Sequence, residues 1–260
     1  MPHICLTGDG VEVDPGLAVF PILKQVDGRN SIVGTAFFIA KAGIFVTAKH
    51  VIQDVLDTEG RQIYPIAGLQ ILTDNRYTIR QVISCHANTR SDVVVGVLEW
   101  RGEEFCSKVL ALTLVEPRIG SSIHTYAYPG SNVRIESNVQ TLTLNTDFYD
   151  GILTEHLPEG RDRTMLPFPC YRGDIRILGG ASGGPVFDDA GRVFGVNCTG
   201  FEGDGNDISY FTRINEILPL RVDNIVIEGV HRNNIEVIEL VERRIVIFEP
   251  QFNRNQLLRI

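Results

Sequence analysis

Ser182 stands in LGGASGGPVFD (178–188), between Gly179 and Gly180 on one side and Gly183 and Gly184 on the other. Glycine reaches backbone conformations with φ > 0 that side chains disfavour. Such a loop can expose one hydroxyl and turn neighbouring N–H groups to a single point. An attacked carbonyl needs such donors as negative charge develops on its oxygen. A serine hydroxyl is a weak nucleophile at neutral pH, so it requires a base, and the base requires an orienting carboxylate. A Gly-rich hairpin whose serine only bonds to backbone has the same composition.

Of the six histidines, His50 is the best placed base. It follows the apolar run of IFVTAKHVI, where a strand end offers a rigid mount. His3, His156 and His231 fall in the terminus, a polar loop and the tail; His86 and His124 sit in strand-like stretches. Asp92 is the best carboxylate, at the boundary between the polar HANTRS and the apolar VVVGVL. Asp54 and Asp57 are too near His50, where the chain turns as a short helix, and Asp74 lies in a turn.

These groups need a scaffold, and strand signals dominate it. Short β-branched or aromatic runs recur between Gly, Asn, Asp and Ser, as in SIVGTAFFIA, YTIRQVISCH, SIHTYAYPG and DISYFTRI. DDAG separates two apolar runs at 185–200 as a hairpin turn would. TRINEILPLR suits a short helix ended near Pro219. The expected architecture is all-β: two antiparallel six-stranded β-barrels with the active site between them, plus a C-terminal extension. We divide the chain into an N-terminal segment 1–16, a first barrel 17–115, a second barrel 116–220 and an extension 221–260. Segment 99–119 is the join between the barrels. In the extension, Ile235, Ile238, Val241 and Ile245 fit a helical face, while the Ile/Val content fits strands.

A net charge of −8, spread along 260 residues, argues against nucleic acid or an anionic membrane as the main partner. No apolar window has the length or purity of a membrane span, and the start lacks a signal-peptide pattern. Five cysteines at irregular spacing, without a C-x-x-C pair, point to a reducing compartment, hence the cytoplasm. Neither His3 with Cys5 nor Cys85 with His86 belongs to a four-ligand zinc pattern. No metal or cofactor is expected.

The ordered motifs TAKHV, SDVVVGVL and GGASGGPV resemble the trypsin-like (chymotrypsin-fold) serine peptidases, in flavour the bacterial Deg-type members. YAYPGS (126–131) and GRVFGVNCTG (191–200) extend the resemblance over about residues 17–220. It implies a serine endopeptidase acting on protein or peptide. In it Ser182 is the nucleophile, His50 the base and Asp92 the residue that orients it. The N–H groups of Gly180 and Ser182 would form the oxyanion hole. Cys198, Thr199 and Gly200 would line the specificity pocket and pair with substrate backbone.

Two departures stand out. Ala181 replaces the aspartate that pairs with a newly cut amino terminus in secreted members, so activation by N-terminal cleavage is not expected. Val51 stands where a disulfide cysteine would follow the histidine. Counted without gaps, Arg176 takes the pocket-floor position and would favour an acidic residue before the cleaved bond. A one-residue slip would turn it outward, and a small or apolar residue is the broader expectation. A non-catalytic binding module on the same fold and an esterase remain alternative readings. The extension 221–260 could cover the barrel, bind a regulatory partner or mediate self-association.

Overall fold

In the computed structural model the described residues are 3–55, 63–73, 76–102, 108–136, 139–202, 207–227 and 229–251. Asp57, Asp74 and Cys106 lie outside them. The β-rich runs become strands of two kinds. Tyr77–Ala87 alternates exposed and buried residues along its first half, while Val94–Leu98 is buried throughout. The first pattern suits a strand with one wet face, the second a strand covered on both.

β1 (Val19–Val26), β2 (Arg29–Ala40), β3 (Ile44–Thr47), β4 (Ile66–Ile71), β5 (Tyr77–Ala87) and β6 (Val94–Leu98) close a barrel in the order β1-β2-β3-β6-β5-β4. β7 (Ser122–Ala127) opens the second barrel, and β8 (Asn132–Glu136) pairs with β9 (Val139–Thr143) in a separate hairpin. β10 (Asp147–Leu157), β11 (Cys170–Gly173), β12 (Pro185–Phe187), β13 (Val193–Glu202) and β14 (Asp207–Arg213) complete it, in the order β10-β11-β14-β13-β12-β7. All pairings within each barrel are antiparallel. Closing the ring leaves neither barrel with an outermost strand. No helix of the described residues is long and apolar enough to cross a membrane.

Each barrel holds its own core: Phe20, Phe38 and Phe45 in the first, Ile123, Phe194 and Phe211 in the second. A third and larger core lies outside both. It joins Phe37, Val46 and Val95 of the first barrel to Phe187, Val193 and Val196 of the second. The residues after Arg213 fill it. Ile214–Ile217 makes a short 3-10 helix within TRINEILPLR, where a short helix is expected. The extension then forms β15 (Arg221–Val222), β16 (Ile225–Ile227), β17 (Val230–Arg232) and β18 (Ile235–Glu236), and ends in a helix, Val237–Glu242. Both readings of this stretch hold, for successive residues: strands to 236, helix after it. Val237, Leu240, Val241 and Phe248 are buried in the shared core. Of the three roles left open for the extension, the structure displays the covering one.

Leu112 ties these parts together. It bridges in parallel to both Val193 and Phe248, and its N–H donates to Ile247 O at 3.1 Å. Truncating so central a ring removes its burial and leaves a cavity. Phe248→Ala is therefore expected to cost about 3–5 kcal/mol, read as a lower urea midpoint. A loss below about 1 kcal/mol would show that the tail merely rests on the barrels.

Candidate active site

β3 and β6 are neighbours, with Thr47 opposite Val94. That register brings the residues just beyond one strand's end beside those just before the other's start. His50 falls in α1 (Lys49–Gln53), the short helix after β3, and Asp92 two residues ahead of β6. His50 Nδ1 lies 2.7 Å from Asp92 Oδ2. The backbone N–H of His50, a first-turn donor with no partner inside its helix, donates to Asp92 Oδ1 at 2.9 Å. One carboxylate thus holds both the ring and its mount. The loop carrying Asp92 is shaped by Asn88, whose side-chain oxygen accepts from the N–H groups of Arg90 (2.8 Å) and Ser91 (3.3 Å). Nothing beyond its polar neighbours marked Asn88 in the sequence, though such self-capping is common for Asn in turns.

The second barrel clasps Asp92 from behind. Cys198 Sγ donates to Asp92 Oδ2 at 2.9 Å, and Thr212 Oγ1 donates to Asp92 O at 3.4 Å. Cys198 reaches it because the β13–β14 register shifts between Asn197 and Thr199. A bulge of this kind re-aims one side chain. Burial, and after it the adjacent Asp92 charge, push the Cys198 thiol far above its ordinary pKa. Ligand atoms of His50, Asp92 and Cys198 lie within 4.8 Å of one another.

Ser182 sits on the loop between β11 and β12 and lines the same cleft as His50, Asp92 and Cys198. Its Oγ donates to Cys198 O at 3.4 Å, and no hydrogen bond to His50 is present among the described residues. Leu178–Ala181 forms a turn closed by Ala181 N–H to Leu178 O at 3.1 Å. Gly180, at φ +96°, takes the third position, as a type II turn requires. A Cβ there would meet Tyr128 O at 2.8 Å, so only glycine fits. The N–H groups of Gly180 and Ser182 have no acceptor among the described residues.

The cleft continues along β13. β12 pairs with β13 only up to Val196, so residues 198–202 have β14 on one side and an open edge on the other. Cys198, Thr199 and Gly200 line the cleft with Ile177, Leu178 and Leu166. Gly200 lies close enough to Ile177 that a Cβ would come within 3.1 Å of the Ile177 Cβ. Arg176 corrects an expectation: it is exposed and does not line the cleft. Ile175 is fully buried in the second barrel's core. The alternation around it leaves Arg176 exposed and gives the cleft wall to Ile177.

The arrangement can attack a carbonyl with Ser182, accept a proton on His50, and stabilise an oxyanion with two N–H groups. Residues 34–196 match the family model of the trypsin-like peptidase domain. No curated protein sequence matches the chain. Among solved structures it resembles Deg5, at TM-score 0.58 and 18% identity over 77% of this chain and 85% of that one. It also resembles the HtrA-type protease AlgW with a tripeptide (TM-score 0.53, 21% identity), covering 76% of this chain and 57% of AlgW. The third is an inactive serine-to-alanine mutant of Rv3671c from M. tuberculosis, at TM-score 0.52 and 16% identity, over 78% and 83%. The chain thus spans less than two thirds of AlgW.

Proposed function

The chain belongs to the trypsin-like peptidase domain family, and from that premise we propose that it is a serine endopeptidase working through an acyl-enzyme on Ser182. The observation that carries this is the meeting of Ser182 with the His50–Asp92 pair in one cleft, on a loop whose Gly180 and Ser182 N–H groups have no acceptor among the described residues. Ser182 Oγ attacks the carbonyl carbon of the scissile bond while His50 Nε2 takes its proton. The oxygen that becomes negative is held by the N–H groups of Gly180 and Ser182. His50 then hands the proton to the leaving amine. Water, activated by His50, repeats the sequence and releases the acid. Asp92 keeps the imidazole in the tautomer whose Nε2 is free to accept.

Substrate binds as an added strand on the open edge of 198–200, as extended peptides do elsewhere; AlgW is a peptide-bound relative in fold. Ala181 and the absence of any acid in its place support a cleft that does not await a cut amino terminus. The four described cysteines, Cys5, Cys85, Cys170 and Cys198, are free, which supports a cytoplasmic setting.

A fluorophosphonate probe tests the reading: Ser182 should carry the adduct by mass, and a protein without Ser182-dependent labelling is not this enzyme. Cleavage of a peptide library tests the pocket. With Ile177 against Gly200, residues such as Ala, Val or Thr should precede the cut bond. An acidic preference would bring Arg176 back into the cleft, and an aromatic or basic one would overturn the Ile177 assignment.

A further inference from the structure

We propose that Thr35, from the first barrel, is the positioning residue that sets the oxyanion-hole loop, an inference that rests on the serine-peptidase reading above. In a trans peptide the carbonyl and the N–H point in opposite directions. The Gly180 N–H shares its peptide with Gly179 O and the Ser182 N–H with Ala181 O, so those two carbonyls aim the donors directly, while the carbonyls of Gly180 and Ser182 fix the peptide plane that follows each donor residue. Every carbonyl from Gly179 to Ser182 is tied down. Gly179 O accepts from Gly130 N–H at 3.1 Å. Ala181 O accepts from Gly184 N–H at 3.1 Å and Asn197 Nδ2 at 3.2 Å. The other two are taken by one residue: Thr35 Oγ1 donates to Gly180 O at 2.7 Å, and Thr35 N–H donates to Ser182 O at 2.8 Å.

Thr35 can do this because β2 outruns its neighbour. Pairing with β3 runs from Phe37 to Ala40, so the Thr35 N–H lies past the end of β3. Its carbonyl is held by Thr47 Oγ1 at 2.7 Å, and its hydroxyl also accepts from Tyr128 N–H at 3.4 Å. The side chain is fully buried, so water does not compete for these bonds. Thr35 thus brackets Ala181, the place where the loop has no charge to anchor it. The second barrel aims the two donors through Gly130 and Asn197, and Thr35 locks the peptide after each donor residue from the first barrel, so the loop is braced on both sides without an ionic switch.

Thr35→Val keeps the shape and removes the hydroxyl; Thr35→Ala serves if Val does not fold; Thr35→Ser restores the hydroxyl. Active-site titration counts competent molecules, so kcat is read per competent site. The expected result is a fall in kcat of roughly 10- to 100-fold, with an equal loss of affinity for a peptide boronate, whose oxygen occupies the hole. KM should stay within about twofold and Thr35→Ser should recover most of kcat. A purely structural role would lower thermal stability and the competent fraction, leaving kcat per site unchanged. That outcome, or failure of Ser to restore, overturns the proposal. If the wild type lacks Ser182-dependent labelling, the peptidase reading fails instead.

Discussion

Ser182→Ala should lower kcat by about 10⁴- to 10⁶-fold while leaving substrate affinity and fold in place. The loss is large because the cysteine that lines the cleft cannot stand in for the hydroxyl. Cys198 Sγ is bonded to Asp92, and burial and that negative charge favour its thiol form. A protonated thiol turned toward a carboxylate is no nucleophile. The structural cost of the change is small, since the hydroxyl gives up one 3.4 Å bond to Cys198 O. Steady-state cleavage and circular dichroism on the same preparation separate the two effects. Activity above about one hundredth of wild type would remove Ser182 from the chemistry and favour a binding module or a different reaction.

Asp92→Asn should cost about 10⁴-fold in kcat, and the hydrogen bonds around it give the reason. Three donors face two carboxylate oxygens: the His50 N–H on Oδ1, and His50 Nδ1 with Cys198 Sγ on Oδ2. An amide keeps one acceptor and presents an NH₂ at the other position. If that NH₂ faces the His50 backbone N–H, two donors collide and neither can change. If it faces the ring, the imidazole can move its proton to Nε2 and accept on Nδ1, while the thiol rotates away. The amide therefore settles in the second orientation. Nε2 then carries a proton and cannot take another from Ser182. Binding of a substrate-like peptide should be retained. NMR of the His50 ring nitrogens should report the exchanged tautomer; an unchanged tautomer with full activity would refute the orienting role of Asp92.

The barrels were legible because their strands announce themselves by composition and by turn residues. His50, Asp92 and Ser182 stood out as candidates because each sits at a sharp boundary between an apolar run and a polar or glycine-rich one, and the fold brings all three to one cleft. What escaped was whatever depends on register. The Cys198 thiol meets Asp92 through a bulge, and no local pattern declares an extra residue in a strand. Arg176 was misplaced by the same kind of one-residue shift. Thr35 and Asn88 look like ordinary polar residues in the sequence, and their importance lies in partners 145 and 2 residues away. The extension was ambiguous because strand and helix both occur in it, within a few residues of each other.

The third core has a bearing on how the protein is made. Phe248 and its neighbours join the two barrels from the far end of the chain, and they bridge to Leu112 near its middle. During synthesis at about 5–20 residues per second, on the order of 10–40 s pass between Thr35 and Phe248. His50, Asp92 and Ser182 all leave the ribosome ahead of the segment that packs between the barrels. A chain interrupted before Phe248 thus carries these three residues with the shared core unfilled.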